Sequence, residues 1–117
     1  MQLIKKLVIV LFNSTTFSAC RVILLKPMES DVVRVSAKYP GYSLTELNTG
    51  KTIYEENCQS CHGLKNPSSR KEEKWNKIVP VMVKKVNKKA GSEKIDIKNQ
   101  ELLLKYLITM STAPKIK

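Results

Sequence analysis

The chain has a single histidine, His62, a single tryptophan, Trp75, and an aromatic content of only 6 %. With one imidazole, no metal or cofactor site built from this chain can take two. Acidic residues are scarce too: 10 Asp and Glu stand against 21 Lys and Arg, a net charge of +11. Such a balance suits acidic partners or anionic lipid, and lysine-rich faces also keep a chain soluble. Long apolar runs are missing. The strongest, Leu7-Val8-Ile9-Val10-Leu11-Phe12, is cut off by Asn13 and Ser14, well short of the roughly 20 residues a spanning helix needs. Arg21 blocks its extension into Val22-Ile23-Leu24-Leu25. No internal repeat is present, and 117 residues leave room for one domain. A hydrophobic content of 42 % makes a modest core, which a central cofactor or covalent staple would help to stabilise.

Lys5 and Lys6 ahead of the short apolar run have the order of a charged n-region and an h-region, so residues 1–19 are expected to be a signal peptide. Phe17-Ser18-Ala19-Cys20 resembles a bacterial lipobox, with two small residues before the cysteine and Phe17 where Leu is usual. That resemblance implies lipidation of Cys20 and an extracytoplasmic, membrane-tethered protein, in the bacterial periplasm or on the cell surface. A rival cleavage after Ser18, using Thr16 and Ser18, would leave Cys20 as an unmodified thiol. Nucleic acid is not an expected partner of a chain carrying such a leader.

Residues 20–40 show no steady period. Pro27, Glu29, Ser30 and Asp31 suggest a flexible tether, with a strand at Val32–Val35 as the alternative. Regular structure is expected from Tyr39-Pro40-Gly41, a turn signal. Ser43 and Glu46 form S-x-x-E, a capping box, with Tyr42 and Leu47 placed as a hydrophobic staple. A helix should start at Leu44 and carry Leu47, Gly50, Ile53 and Tyr54 on one face. Gly50 costs such a helix about 1 kcal/mol relative to Ala, which suggests a close neighbour there. After a loop at 68–70, Trp75, Ile78, Val79, Met82, Val83 and Val86 keep helical spacing. Pro80 within that stripe predicts a kink or restart, and Gly91 an end. A last helix from Lys98 to Met110 would face the core with Leu103, Tyr106, Leu107 and Met110. A basic tail, 113–117, follows.

Cys58-Gln59-Ser60-Cys61-His62 is C-x-x-C-H, the signal for covalent attachment of c-type haem. Two thiols at this spacing can add to the two vinyl groups of one porphyrin, and the next residue supplies an imidazole to the iron. Three other uses fit less well. A thioredoxin-like redox pair wants a βαβ setting, and no strand–helix alternation is present. A structural zinc site wants four ligands, and Cys58, Cys61 and His62 make three. A disulfide is poorly shaped for this spacing on a helix.

With this motif at its centre, the stretch from Tyr42 to Met110 resembles a class I, single-haem cytochrome c domain. The resemblance rests on Gly50, the aromatic Tyr54 four residues on, Cys58 four residues further, and the Leu103, Tyr106, Leu107 pattern of the last helix. It implies an all-α fold over 41–112, three to four short helices around one haem, with the first and last helices crossing at Gly50. It also implies one covalent haem on Cys58 and Cys61 with His62 as an axial iron ligand. Met82, in Trp75-x-x-x-Val79-x-x-Met82, resembles the axial methionine of small bacterial members. Met110 and an open sixth position are the alternatives, and Met28 lies outside the domain. Pro67 resembles the proline that follows the haem histidine, and the turn 63–67 could offer His62 a carbonyl. Trp75 could pack on the haem, donate to a propionate, or serve as a core tryptophan.

Transfer of single electrons between extracytoplasmic redox partners is the function these features suggest. Lys65, Lys84, Lys85, Lys88 and Lys89 would guide docking to an acidic redox protein. A haem-based ligand binder or sensor with an open sixth site is one alternative. The haem subunit of a larger dehydrogenase or reductase is another. No general acid–base pair flanks the motif, so the chain by itself is not expected to be an enzyme or to bind a small-molecule substrate.

Overall fold

The computed structural model describes residues 22–58 and 63–115, and every regular element among them is helical. In chain order these are α1 (Glu29–Arg34), α2 (Leu44–Cys58), a 3₁₀ turn (Pro67–Ser69), α3 (Glu72–Ala90) and α4 (Ile97–Ser111). The expected all-α class is therefore present. The leader 1–19, Cys20 and the end of the basic tail lie outside the described residues.

Each long helix starts or stops where its local chemistry dictates. At the head of α2, the Glu46 N–H donates to Ser43 Oγ at 3.1 Å and the Ser43 N–H donates to Glu46 Oε2 at 2.9 Å. This reciprocal pair satisfies two donors that the first turn would otherwise leave open. Helix α4 begins at Ile97, one residue before the expected Lys98, because Asp96 Oδ1 accepts the Asn99 N–H at 2.7 Å. Helix α3 has Glu72 and Glu73 in its first turn and Lys88 and Lys89 in its last, both favourable for the helix dipole. Gly91, at φ 67°, closes it.

Two expectations are corrected. Pro80 neither ends nor restarts α3, which runs on as one helix from Glu72 to Ala90. Pro80 and Asn76, whose carbonyl loses its partner, both face solvent, so water can take the freed oxygen. The segment 22–40 is not a bare tether, nor does Val32–Val35 form a strand. Helix α1 lies there and packs on α2 and α4, with Val32 and Val35 buried. Asp31, 5 % exposed, accepts the Met28 N–H at 2.8 Å and the Arg34 Nη1–H at 2.7 Å. Arg34 Nη2–H then donates to the Thr109 carbonyl at 2.9 Å, so one guanidinium ties α1 to the end of α4. An exposed Lys38–Glu72 ion pair joins the same region to the start of α3.

The core centres on α4. Tyr106 is wholly buried and Leu103 and Leu107 nearly so, against Leu47, Ile53 and Tyr54 of α2 and Trp75, Val79 and Val83 of α3. The approach of α2 to α4 depends on Gly50. A Cβ at that position would lie 2.6 Å from Tyr106 Cβ and closer still to the Leu102 carbonyl oxygen. Neither obstacle is the flexible tip of a side chain, so neither can swing away. Gly50→Ala should therefore lower stability despite the better helix propensity of alanine. A net loss of about 1–3 kcal/mol is expected from overpacking, measured as a lower denaturation midpoint. An equal or raised midpoint would show that the helices separate at little cost.

Candidate cofactor site

Helix α2 sets up the site by its period. Gly50, Tyr54 and Cys58 are each four residues apart and so share one face. Gly50 makes the contact with α4, Tyr54 joins the aromatic cluster, and Cys58 ends the helix at the edge of a cavity. Cys61 and His62 lie outside the described residues, together with Gln59 and Ser60. The described residues on either side of them, Cys58 and Gly63, both line the cavity. Gly63 has φ 69°, a left-handed conformation that favours glycine.

The chain after the motif is pinned from two helices. Tyr54 donates its O–H to the Lys65 carbonyl at 2.6 Å and accepts the Lys65 N–H at 3.0 Å. Trp75 Nε1–H donates to the Pro67 carbonyl at 2.9 Å. Between these two anchors Asn66 Oδ1 caps the 3₁₀ turn, accepting the Ser68 N–H at 3.1 Å and its O–H at 2.9 Å. Trp75 meets Tyr54 edge-on, at 6.4 Å and 81°, and Tyr54 meets Tyr106 at 5.9 Å and 44°. Edge contacts of this kind add to the burial of the rings themselves.

The cavity measures about 190 Å³. Its walls are overwhelmingly apolar: Trp75, Ile78, Val79, Met82, Val83 and Val86 from α3, Leu103 and Leu107 from α4, and Ile95 from the connection between them. Lys65 and Arg70 supply its cationic lining, and the Arg70 guanidinium stands over the Trp75 ring at 5.3 Å. This pattern explains the half-exposure of Ile78, Met82 and Val86. The apolar stripe of α3 is wider than the protein–protein contact it makes, and its remaining width faces the cavity.

The three methionines considered for a ligand role separate clearly. Met82 lines the cavity shared with Cys58. Met110 is 3 % exposed, packs in the core and does not line it, whereas Met28 is 58 % exposed and precedes α1. Trp75 also takes a definite role. Its N–H is bonded to Pro67 and does not face outward as a donor, while its ring forms part of the cavity wall. The exposed Lys84, Lys85, Lys88 and Lys89 lie on the solvent side of α3, and Lys65 is exposed at the cavity lining.

Burial pushes the Cys58 thiol up to about 11. Its place at the C-terminus of α2 also disfavours a thiolate, because the helix dipole is negative there. A low-pKa redox nucleophile wants the reverse setting, an electropositive site or a helix N-terminus. Among the described residues no cluster of three His, Cys, Asp or Glu side chains forms. The donor set that does meet here suits a flat, largely apolar group with two acidic substituents. It comprises one thiol, one thioether, an aromatic wall and two cations.

Sequence reasoning had found Cys58, Met82 and Trp75 but missed Arg70 and Ile95 as lining residues, and missed Tyr54 as an anchor. Arg70 sits in a stretch with no periodicity. The signal for Tyr54 was present in its four-residue step from both Gly50 and Cys58. Comparison of the chain with protein-family models, with curated proteins and with solved structures found no match. No helix among the described residues is long and apolar enough to cross a membrane.

Tyr54 titrates unusually. Burial raises its phenol from an ordinary value of 10.0 to about 12. Between those values the unfolded chain releases the proton first and the folded chain keeps it, so stability falls as pH rises. Tyr54→Phe should weaken that alkaline slope. At neutral pH it should also cost about 1–3 kcal/mol, since both Lys65 backbone groups lose their partner. Urea unfolding at pH 7 and pH 11 tests both effects, and equal losses at the two pH values would count against Tyr54 as the titrating group.

Proposed function

We propose that the chain is a small c-type cytochrome that carries single electrons between redox partners outside the cytoplasm. One observation carries the reading: Met82 shares an apolar cavity with Cys58, the first residue of the chain's C-x-x-C-H motif.

In this reading Cys58 and Cys61 would hold one haem as thioethers, and His62 and Met82 would offer nitrogen and sulfur to its iron. The haem, when bound, supplies an iron that alternates between ferrous and ferric states. Everything else is the work of the chain. Val79, Val83, Leu103 and Leu107 keep water away, and a dry site favours the less charged, reduced state. Met82 sulfur raises the potential relative to a second imidazole. Lys65 and Arg70 offer positive charge to the two carboxylates of the group. Tyr54 and Trp75 hold the chain that follows the motif at Lys65 and Pro67. Exposed lysines along α3 favour brief docking to an acidic protein, for which a small interface suffices. Lipid on Cys20 would keep the domain at a membrane.

The visible spectrum of the protein, expressed with haem-maturation machinery, is the decisive test. Covalently retained haem with low-spin bands and the weak near-infrared sulfur-to-iron band is expected. Met82→Ala should become high-spin and bind carbon monoxide, whereas Met110→Leu should lower stability and leave the bands in place. A wild-type protein that already binds carbon monoxide would instead be a ligand binder. A protein without covalent haem would end the cytochrome reading. For the anchor, Cys20→Ser should move the protein from the membrane fraction to the soluble one, and its staying in the membrane would argue against lipid on Cys20.

A further inference from the structure

One part of the cavity wall belongs to neither α3 nor α4. It is Ile95, 3 % exposed, which lines the cavity beside Val83, Val86 and Leu103. The residues just before it, 88–94, are all exposed. The Ile95 backbone is held by a single side chain: Asn87 Nδ2–H donates to the Ile95 carbonyl at 2.9 Å, and Asn87 Oδ1 accepts the Ile95 N–H at 2.8 Å. The Asn87 carbonyl also accepts the Ser92 N–H at 3.3 Å, within the turn that Gly91 makes. One residue therefore organises the connection with both its backbone and its side chain.

We propose that Asn87 is a positioning residue whose two bonds hold Ile95 in the cavity wall and so close it to water at the connection between α3 and α4. The physical ground is the part-buried peptide on either side of Ile95. Without the amide of Asn87, its N–H and C=O lose these partners and must reach water. A backbone drawn outward takes its side chain with it, and the cavity opens where Ile95 stood. The effect on a bound cofactor rests on the cytochrome reading. Water admitted beside the iron favours the more charged, oxidised form, so the potential falls.

The test uses the full chain matured with haem, compared with Asn87→Ala, Asn87→Asp and the exposed-loop control Lys94→Ala. Two quantities are read: amide hydrogen exchange at Ile95 and the reduction potential. In Asn87→Ala, exchange should speed up roughly tenfold or more, and the potential should drop with the low-spin bands retained. Asn87→Asp keeps the acceptor for the Ile95 N–H and loses the donor to its carbonyl, so it should fall between wild type and Asn87→Ala. Lys94→Ala should change neither quantity. A lowered denaturation midpoint with an unchanged potential would reduce Asn87 to a loop staple and overturn the proposal. So would unchanged exchange. Should Asn87→Ala fail to fold, Asn87→Asp decides by the same two quantities. Should the wild type carry no haem, the cytochrome reading fails separately, and the dye 1-anilinonaphthalene-8-sulfonate then reports the cavity. More dye fluorescence in Asn87→Asp than in wild type would support the seal, and equal fluorescence would overturn it.

Discussion

The backbones of α2 and α4 meet at a position that carries no side chain. Gly50 lets the Leu102 carbonyl and the Tyr106 Cβ occupy space that any other residue would fill. Because the helical period returns every four residues to nearly the same face, this one contact fixes the next two positions along α2. Tyr54 then falls against Tyr106 and Trp75, and Cys58 falls at the cavity. A shift of the crossing by one turn would move both. The glycine costs helix stability locally, and the close packing of two buried helix faces offsets it.

Around that crossing, much of the site is built from side chains that bond to backbone outside the helices. Tyr54 holds Lys65, Trp75 holds Pro67 and Asn87 holds Ile95. Each of these segments passes between the long helices, where its peptide groups lack the partners that a continuous α-helix would supply. The polar end of each anchor satisfies a backbone group, and for Tyr54 and Trp75 the apolar body also forms part of the wall. A small domain with few residues to place can in this way give one side chain two structural tasks. Burial raises the Tyr54 phenol, which keeps its donor proton in place further into the alkaline range.

The long helices were legible in the sequence because their causes are local. S-x-x-E announced α2, and the spacing of Trp75, Val79 and Val83 announced α3. Leu103, Tyr106 and Leu107 did the same for α4. Gly50 was also legible, as a helix-breaking residue with no local reason to be there. Helix α1 was not. Six residues carry too little periodicity, and the burial of Asp31 and Val32 depends on Arg34 reaching Thr109 at the far end of the sequence. Pro80 misled for a related reason: its cost depends on whether the orphaned carbonyl faces water, which a pattern of residues does not reveal. Of the site, the C-x-x-C-H motif could be read from spacing, whereas Met82 was suggested by resemblance to a family segment. Arg70 and Ile95 reach the cavity from irregular chain, and only the packing of α3 on α4 brings them there.

The bond from Arg34 to the carboxyl end of α4 changes the mechanics of the whole domain. A free chain from Arg21 to Pro40 could reach about 70 Å, letting a domain tied at Cys20 roam and turn above a bilayer. With α1 folded onto the body, and with Leu24 and Leu25 packed against the core and Pro27 buried ahead of it, the chain is held as far forward as Leu24. If Cys20 carries lipid as proposed, so short a leash would confine the domain to a shallow layer over the bilayer. Encounters with other proteins of the same membrane would then be a search in two dimensions.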